Sequence, residues 1–180
     1  IDDFQTIYNE VENLHNQGRR KIGFISTIHD LNVGKFRANG FRKASFDLYG
    51  FFDKNLILKI SKSDDKHVKI KNFIKKTGVD SVISADIICG VITINIARSL
   101  GLNIPRQLAV VGFGDKTISD YSTPRLSVIE QNGNQIGSRS VDLLVDRMNS
   151  KWFGLNKNLN VFSTEIIPTN SIPGESKDNT

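Results

Sequence analysis

Four short apolar runs constrain the fold most: "KIGFIS" (Lys21–Ser26), "LILKI" (Leu56–Ile60), "SVIS" (Ser81–Ser84) and "LAVVGFG" (Leu108–Gly114). Each is too short for a helix and lacks the strict alternation of a half-wet strand, so each reads as a buried strand. Helix-patterned stretches lie between them. The repeat of roughly 25–35 residues is that of a strand followed by a crossover helix. Units of this kind, strung together, predict an α/β fold with a parallel sheet flanked by helices.

The helical stretches carry their own signals. "FQTIYNEVENLHNQG" places Phe4, Ile7, Tyr8, Val11 and Leu14 on one face, with Asp3 as the expected N-cap and Gly18 as the stop. Asn32–Gly50 reads as a helix with Phe36, Phe41, Ala44 and Leu48 inward. "DKHVKIKNFIKKTG" is amphipathic, its lysines forming a wet face. Ile87–Leu100 is apolar nearly all round and closes at Gly101. After Gly114 the rhythm changes. A turn, "SDYSTP", leads to a strand, "RLSVIEQ", then a helix with Ile136, Val141, Leu144, Val145 and Met148, and finally "VFSTEIIPTN".

Composition narrows the class. Hydrophobic residues make up 38% and charged residues 24% of 180, as in a folded globular chain. The net charge of +5 is carried without a basic stripe interleaved with aromatics, so it reads as a solvated surface rather than a nucleic-acid footprint. One cysteine, Cys89, excludes an internal disulfide and reads as a small core residue. No apolar segment is long enough to span a bilayer. The chain opens "IDDFQ", without a methionine, and is read as a fragment.

In open α/β sheets, ligands bind at the carboxyl ends of the strands. The candidate site therefore lies on Thr27–Val33, Ser61–Asp64, Ala85–Asp86 and Gly114–Lys116. Enzyme signatures are missing there. "GFGDKT" lacks the spacing of a phosphate loop, and Gly112 with Gly114 lacks the third glycine of a dinucleotide fingerprint. His15, His29 and His67 do not cluster with acids at metal-ligand spacing and are expected on the surface. No nucleophile elbow is present. Catalysis, a metal and a cofactor are accordingly not expected. The polar groups that remain are Arg37, Asp86, Asp115 and one of Asp2 or Asp3. A fixed guanidinium with carboxylates suits a hydroxyl-rich or anionic small ligand. Asp86 also suits the N-cap of the helix after it.

The order of these pieces resembles the effector-binding domain of the lactose/galactose repressor family of bacterial transcription regulators. "NQGRRKIGFIS" resembles that family's G-H-x-x-I-x-x-I segment, with Arg19 in place of the usual histidine. "KFRANGFRKA" resembles its R-x-x-G-F/Y/W helix, and "GLNIPRQLAVVGFGD" its G-x-x-V/I-P-x-D-x-x-V-V-G-F/Y-D-D segment. "STPRLSVIEQ" and "IGSRSVDLLVDRM" resemble the strand and helix that follow. The resemblance implies a periplasmic-binding-protein-like type I fold, mainly its C-terminal subdomain. It implies that 1–131 form that subdomain, that 132–172 supply a helix and strand of the other, and that 173–180 are a disordered tail. It makes Arg37 the effector-contacting arginine and puts Asp86 at a ligand-facing position, with Asp3, Phe113, Gly114 and Asp115 completing the candidate set. Gly114 falls where sugar-responsive members carry an acid. Asp115 matches the second acid, which is more often structural. "IIPTNS" lacks the arginine of the family's L-x-x-R-x-S ending.

What the resemblance implies for function is a sensing and dimerisation domain of a cytoplasmic repressor. A sugar or related metabolite would bind in the cleft and shift DNA affinity. Operator DNA would be held through an upstream helix-turn-helix outside this chain, and the protein would be a homodimer without a membrane partner. The turn and strand "DYSTPRLSVI" and the helix after Arg37 are the expected dimer surface. A sugar-binding protein of a transport system is the alternative, and a doubly wound enzyme a third reading that lacks its signature residues.

Overall fold

The computed structural model describes residues 1–149 and 161–173. One sheet of six strands runs in the order β2-β1-β3-β4-β5-β6. The strands are β1 (Ile22–Ser26), β2 (Ile57–Lys59), β3 (Ser81–Ser84), β4 (Ala109–Phe113), β5 (Ser127–Glu130) and β6 (Glu165–Ile167). All neighbouring pairs are parallel except β5 with β6. β1, β3 and β4 are buried at every position, the serines at the ends of β1 and β3 included.

Helices cover both faces. α1 (Asp3–Asn16) and α2 (Asn32–Tyr49) close one core with Phe24, Phe41, Val111 and Phe113. α3 (Lys66–Thr77) and α4 (Ile87–Ser99) close the other with Ile25, Ile70, Val82 and Val110. α5 (Lys116–Ser119) is a single turn, and α6 (Gly133–Asn149) follows β5. Gly50 and Gly78 end α2 and α3 in the left-handed conformation, which costs a glycine nothing. Gly40 is fixed by close approach: a Cβ there would lie 2.2 Å from the Phe4 carbonyl oxygen. That glycine lets α2 press against the first turn of α1. Cys89 is fully buried, and burial first of all pushes its thiol up to about 12, so it stays a protonated core residue.

Four expectations from the sequence need correcting. Asp2, not Asp3, caps α1, accepting from the Gln5 backbone N–H at 2.9 Å. Phe36 is 57% exposed, because the inward face of α2 is set by Ala38, Phe41, Ala44 and Ser45. His29 is not a surface residue: its side chain is 14% exposed. The strand expected to stand apart with α6 is β6, and it joins this same sheet. It covers the edge that β5 would otherwise leave unpaired. The segment after it is pinned by hydroxyls. Ser171 Oγ accepts from the Ser127 N–H at 2.6 Å and donates to the Val110 carbonyl at 2.5 Å. Ile172 is buried in the first core.

α6 itself buries none of its residues. Val141, Leu144, Val145 and Met148, the apolar face expected from the sequence, are all exposed. The tail expected to be disordered lies, from residue 174 on, outside the described residues. Among the described residues no helix is long and apolar enough to cross a membrane.

Candidate functional site

The carboxyl edge of the sheet gathers the predicted polar residues. β1 ends beside Thr27, β3 beside Asp86, and β4 at Phe113, Gly114 and Asp115. Arg37 reaches this edge from the second turn of α2. It is 4% exposed, so its charge must be met inside the protein. Nε donates to Asp3 Oδ1 at 2.7 Å, and Nη1 donates to the Ala85 carbonyl at 2.6 Å. Its Cζ lies 3.4 Å from the centre of the Phe113 ring, a cation–π contact. Burial lowers the Arg37 pKa, and the charges of Asp3 and Asp86 oppose that shift. The guanidinium stays ionised. Nη2 makes no hydrogen bond within the described residues.

Asp86 does two jobs that the sequence suggested separately. Oδ1 accepts from the Cys89 N–H at 2.9 Å and caps α4, while Oδ2 accepts from the Thr27 hydroxyl at 2.7 Å. Thr27 is the contact that sequence reasoning did not single out. Its only signal was its position just past β1. The hydroxyl ties two strand ends together and fixes the carboxylate near Arg37.

Asp115 is exposed and spent locally. Oδ1 takes the Thr117 N–H at 2.6 Å and the Thr117 hydroxyl at 2.5 Å, capping α5. Those bonds, the hydroxyl first, hold its carboxyl below the usual range. A hollow of about 410 Å³ opens beyond it, lined by Lys116, Glu130, Asn132, Gln135 and Glu165 among others. Arg37 and Asp86 do not line this hollow. We place the candidate site at Arg37, because a buried charge with an unused donor is the stronger mark of a ligand position than an open depression.

Gly114 has a reason that lies elsewhere in the chain. A Cβ on it would sit 2.8 Å from Ile87 Cβ and 3.2 Å from Ile87 Cγ2. Ile87, 8% exposed, occupies the room an acid at 114 would need. The sheet edge here is therefore aliphatic at the position where sugar-responsive members of the resembled family carry an acid. Gly114→Asp is expected to destabilise the fold by about 1–3 kcal/mol through overpacking. Ile87→Ala in the same chain should relieve it. In urea unfolding, the double variant should cost less than the two single ones together by about 0.5 kcal/mol or more. Strict additivity would show that the two side chains do not compete for this space.

A mostly parallel sheet with a guanidinium, carboxylates and an aromatic ring gathered at its carboxyl edge is the arrangement at which open α/β domains hold small ligands. The comparisons make this specific. The family model for the periplasmic binding protein-like domain matches residues 11–177. The chain belongs to that family, and the relatives it matches are regulators of the lactose/galactose repressor type. It is 26% identical over 150 residues to the HTH-type transcriptional regulator CelR of Thermobifida fusca, covering 82% of this chain and 44% of that protein. It is 36% identical over 88 residues to a lactose operon repressor of Rhizobium radiobacter, covering 49% and 75%. Among solved structures, the Escherichia coli transcriptional repressor ascG superposes with a TM-score of 0.84 at 20% identity, covering 96% of this chain and 63% of that one. The complex of CelR with cellobiose superposes with a TM-score of 0.78 at 24% identity, covering 95% and 52%. The chain thus spans about half the length of regulators such as CelR and MalR. These relatives are transcriptional regulators, not enzymes.

Proposed function

We propose that this chain is the effector-sensing part of a bacterial transcriptional regulator, and that Arg37 is its central ligand contact. The observation that carries the reading is the unused Nη2 donor on a buried, pre-oriented guanidinium. Asp3, the Ala85 carbonyl and Phe113 hold the group in one geometry, so little conformational entropy is lost when a ligand engages it. Thr27 and Asp86 offer a hydroxyl and a carboxylate to ligand hydroxyls. The ligand is a sugar or related small metabolite, and the Gly114–Ile87 contact gives this wall an apolar patch against its carbon skeleton. Reading CelR's cellobiose across to this chain supports a sugar as the first class to test. DNA is bound by a separate headpiece of the complete protein, which acts as a cytoplasmic homodimer. α6, with its apolar side chains in water, packs in the complete protein against a second subdomain across the cleft. Effector binding then selects one arrangement of the two.

The test is thermal unfolding of the complete gene product against sugars, sugar phosphates and nucleobases. A ligand at ~100 times its Kd adds about 2.7 kcal/mol, a rise of several degrees. Arg37→Lys keeps the charge but loses the fork, and should abolish the shift. A shift of equal size in Arg37→Lys would remove Arg37 from the site.

A further inference from the structure

We propose that the free edge of β2 binds an extended acidic peptide by strand addition, its side chains seated alternately in two lysine-rimmed hollows. β2 ends the sheet and pairs only with β1. The Ile60 N–H goes to the Ser26 carbonyl at 2.9 Å. By the alternation of a parallel strand, Lys59 therefore turns its N–H and C=O away from β1, toward the open side. Ile57 does the same with its carbonyl, while its N–H is already given to the Lys54 carbonyl.

Each face of the sheet has a hollow at this edge. The one on the α2 side, about 300 Å³, is lined by Arg42, Phe52, Lys54, Ile57 and Lys59. The one on the α3 side, about 420 Å³, has Leu58 and Phe73 in its floor and Lys54, Lys69 and Lys76 at its rim. An added strand points successive side chains to opposite faces, so one peptide would fill both. Charge decides what kind of peptide. Arg42, Lys54, Lys59 and Lys76 form no ion pair among the described residues, and only Lys69 is matched, by Asp64 at 3.1 Å. Arg42 spends one donor on Asn39. The nearby acid Asp53 is occupied by the N–H and side-chain amide of Asn55. Lysines on an edge deter pairing with a second copy of the same chain. For a strand carrying carboxylates the same charges attract.

The probe is a fluorescein-labelled peptide of alternating valine and glutamate, titrated with this chain and followed by anisotropy. Of the two peptides methylated on alternate nitrogens, the one blocked on the side facing β2 is expected to bind about tenfold or more weakly, and binding should fall equally in Lys54→Glu/Lys76→Glu. Both side chains are exposed, so circular dichroism of the variant should match the parent. Lys59→Gln/Lys76→Gln, which adds no acid, should show a loss in the same direction. The proposal is overturned if the peptide does not bind. It is equally overturned if both methylated peptides bind as well as the unmethylated one, which is attraction without pairing, or if the charge variants bind as well as the parent.

Discussion

Arg37→Ala is expected to lower the unfolding free energy by about 3–5 kcal/mol, the cost of removing one partner from a buried ion pair. Against a total of ~5–15 kcal/mol for a domain, that is a large fraction. Three losses combine. Asp3 keeps a carboxylate that is 15% exposed and now unpaired. The Ala85 carbonyl loses its donor, and Phe113 loses the cation stacked on its ring. The double variant Arg37→Ala/Asp3→Ala separates these terms. Removing the stranded carboxylate should recover part of the loss, leaving the carbonyl and ring contributions behind. Urea unfolding of the parent, both single variants and the double variant measures the coupling directly. A cost under ~1 kcal/mol with no coupling to Asp3 is what a surface arginine gives. That result would dissolve the case for a preorganised guanidinium.

The parts legible in the sequence are those whose cause is local. β1 and β4 announce themselves as short, mainly apolar runs, β3 by its place between two helix patterns, and α2 and α3 end at glycines that a C-cap explains. β6 was misplaced because its three residues carry no period of their own. Its partner is settled by the bare edge of β5 and by Ser171, buried far along the chain. The error at Phe36 has a similar origin: helical spacing gives a face, but only the packing of α1 against Gly40 decides which way that face turns. The site divides in the same manner. Arg37 could be singled out because it lies near the start of the helix after the first strand and in the "KFRANGF" pattern. Its clamp could not, since the Ala85 carbonyl and the Phe113 ring arrive from other strands. Gly114 shows the limit most clearly. Its missing side chain looks like a lost carboxylate until Ile87 is seen filling the space.

The second large effect is expected at Glu10, outside the cleft. Glu10 lies on the buried face of α1 with Ile7, Val11 and Leu14, fully excluded from solvent. Oε2 accepts a long 3.3 Å bond from Asn13, and Oε1 has no partner. Burial pushes its carboxyl from 4.5 up to about 7, with the Asn13 bond opposing. The folded chain therefore holds a proton that the unfolded chain releases near pH 4.5. Stability from this group is complete below about pH 4.5, falls as pH rises toward about 7, and stays reduced above it. The displacement corresponds to about 3 kcal/mol. Glu10→Gln mimics the protonated acid without titrating. In urea unfolding it should match the parent near pH 4 and exceed it near pH 8. The difference between the two proteins removes the opposite trend of Asp47, Asp64 and Asp115, whose pKa values are lowered. α1 also carries Asp3, so ionising Glu10 is expected to loosen the helix that clamps Arg37. Affinity for a ligand that engages Arg37 as proposed should then weaken as pH rises through about 7 in the parent and stay level in Glu10→Gln. A parallel pH dependence in both proteins would mean that Glu10 is solvated in the folded chain and that the two sites are uncoupled.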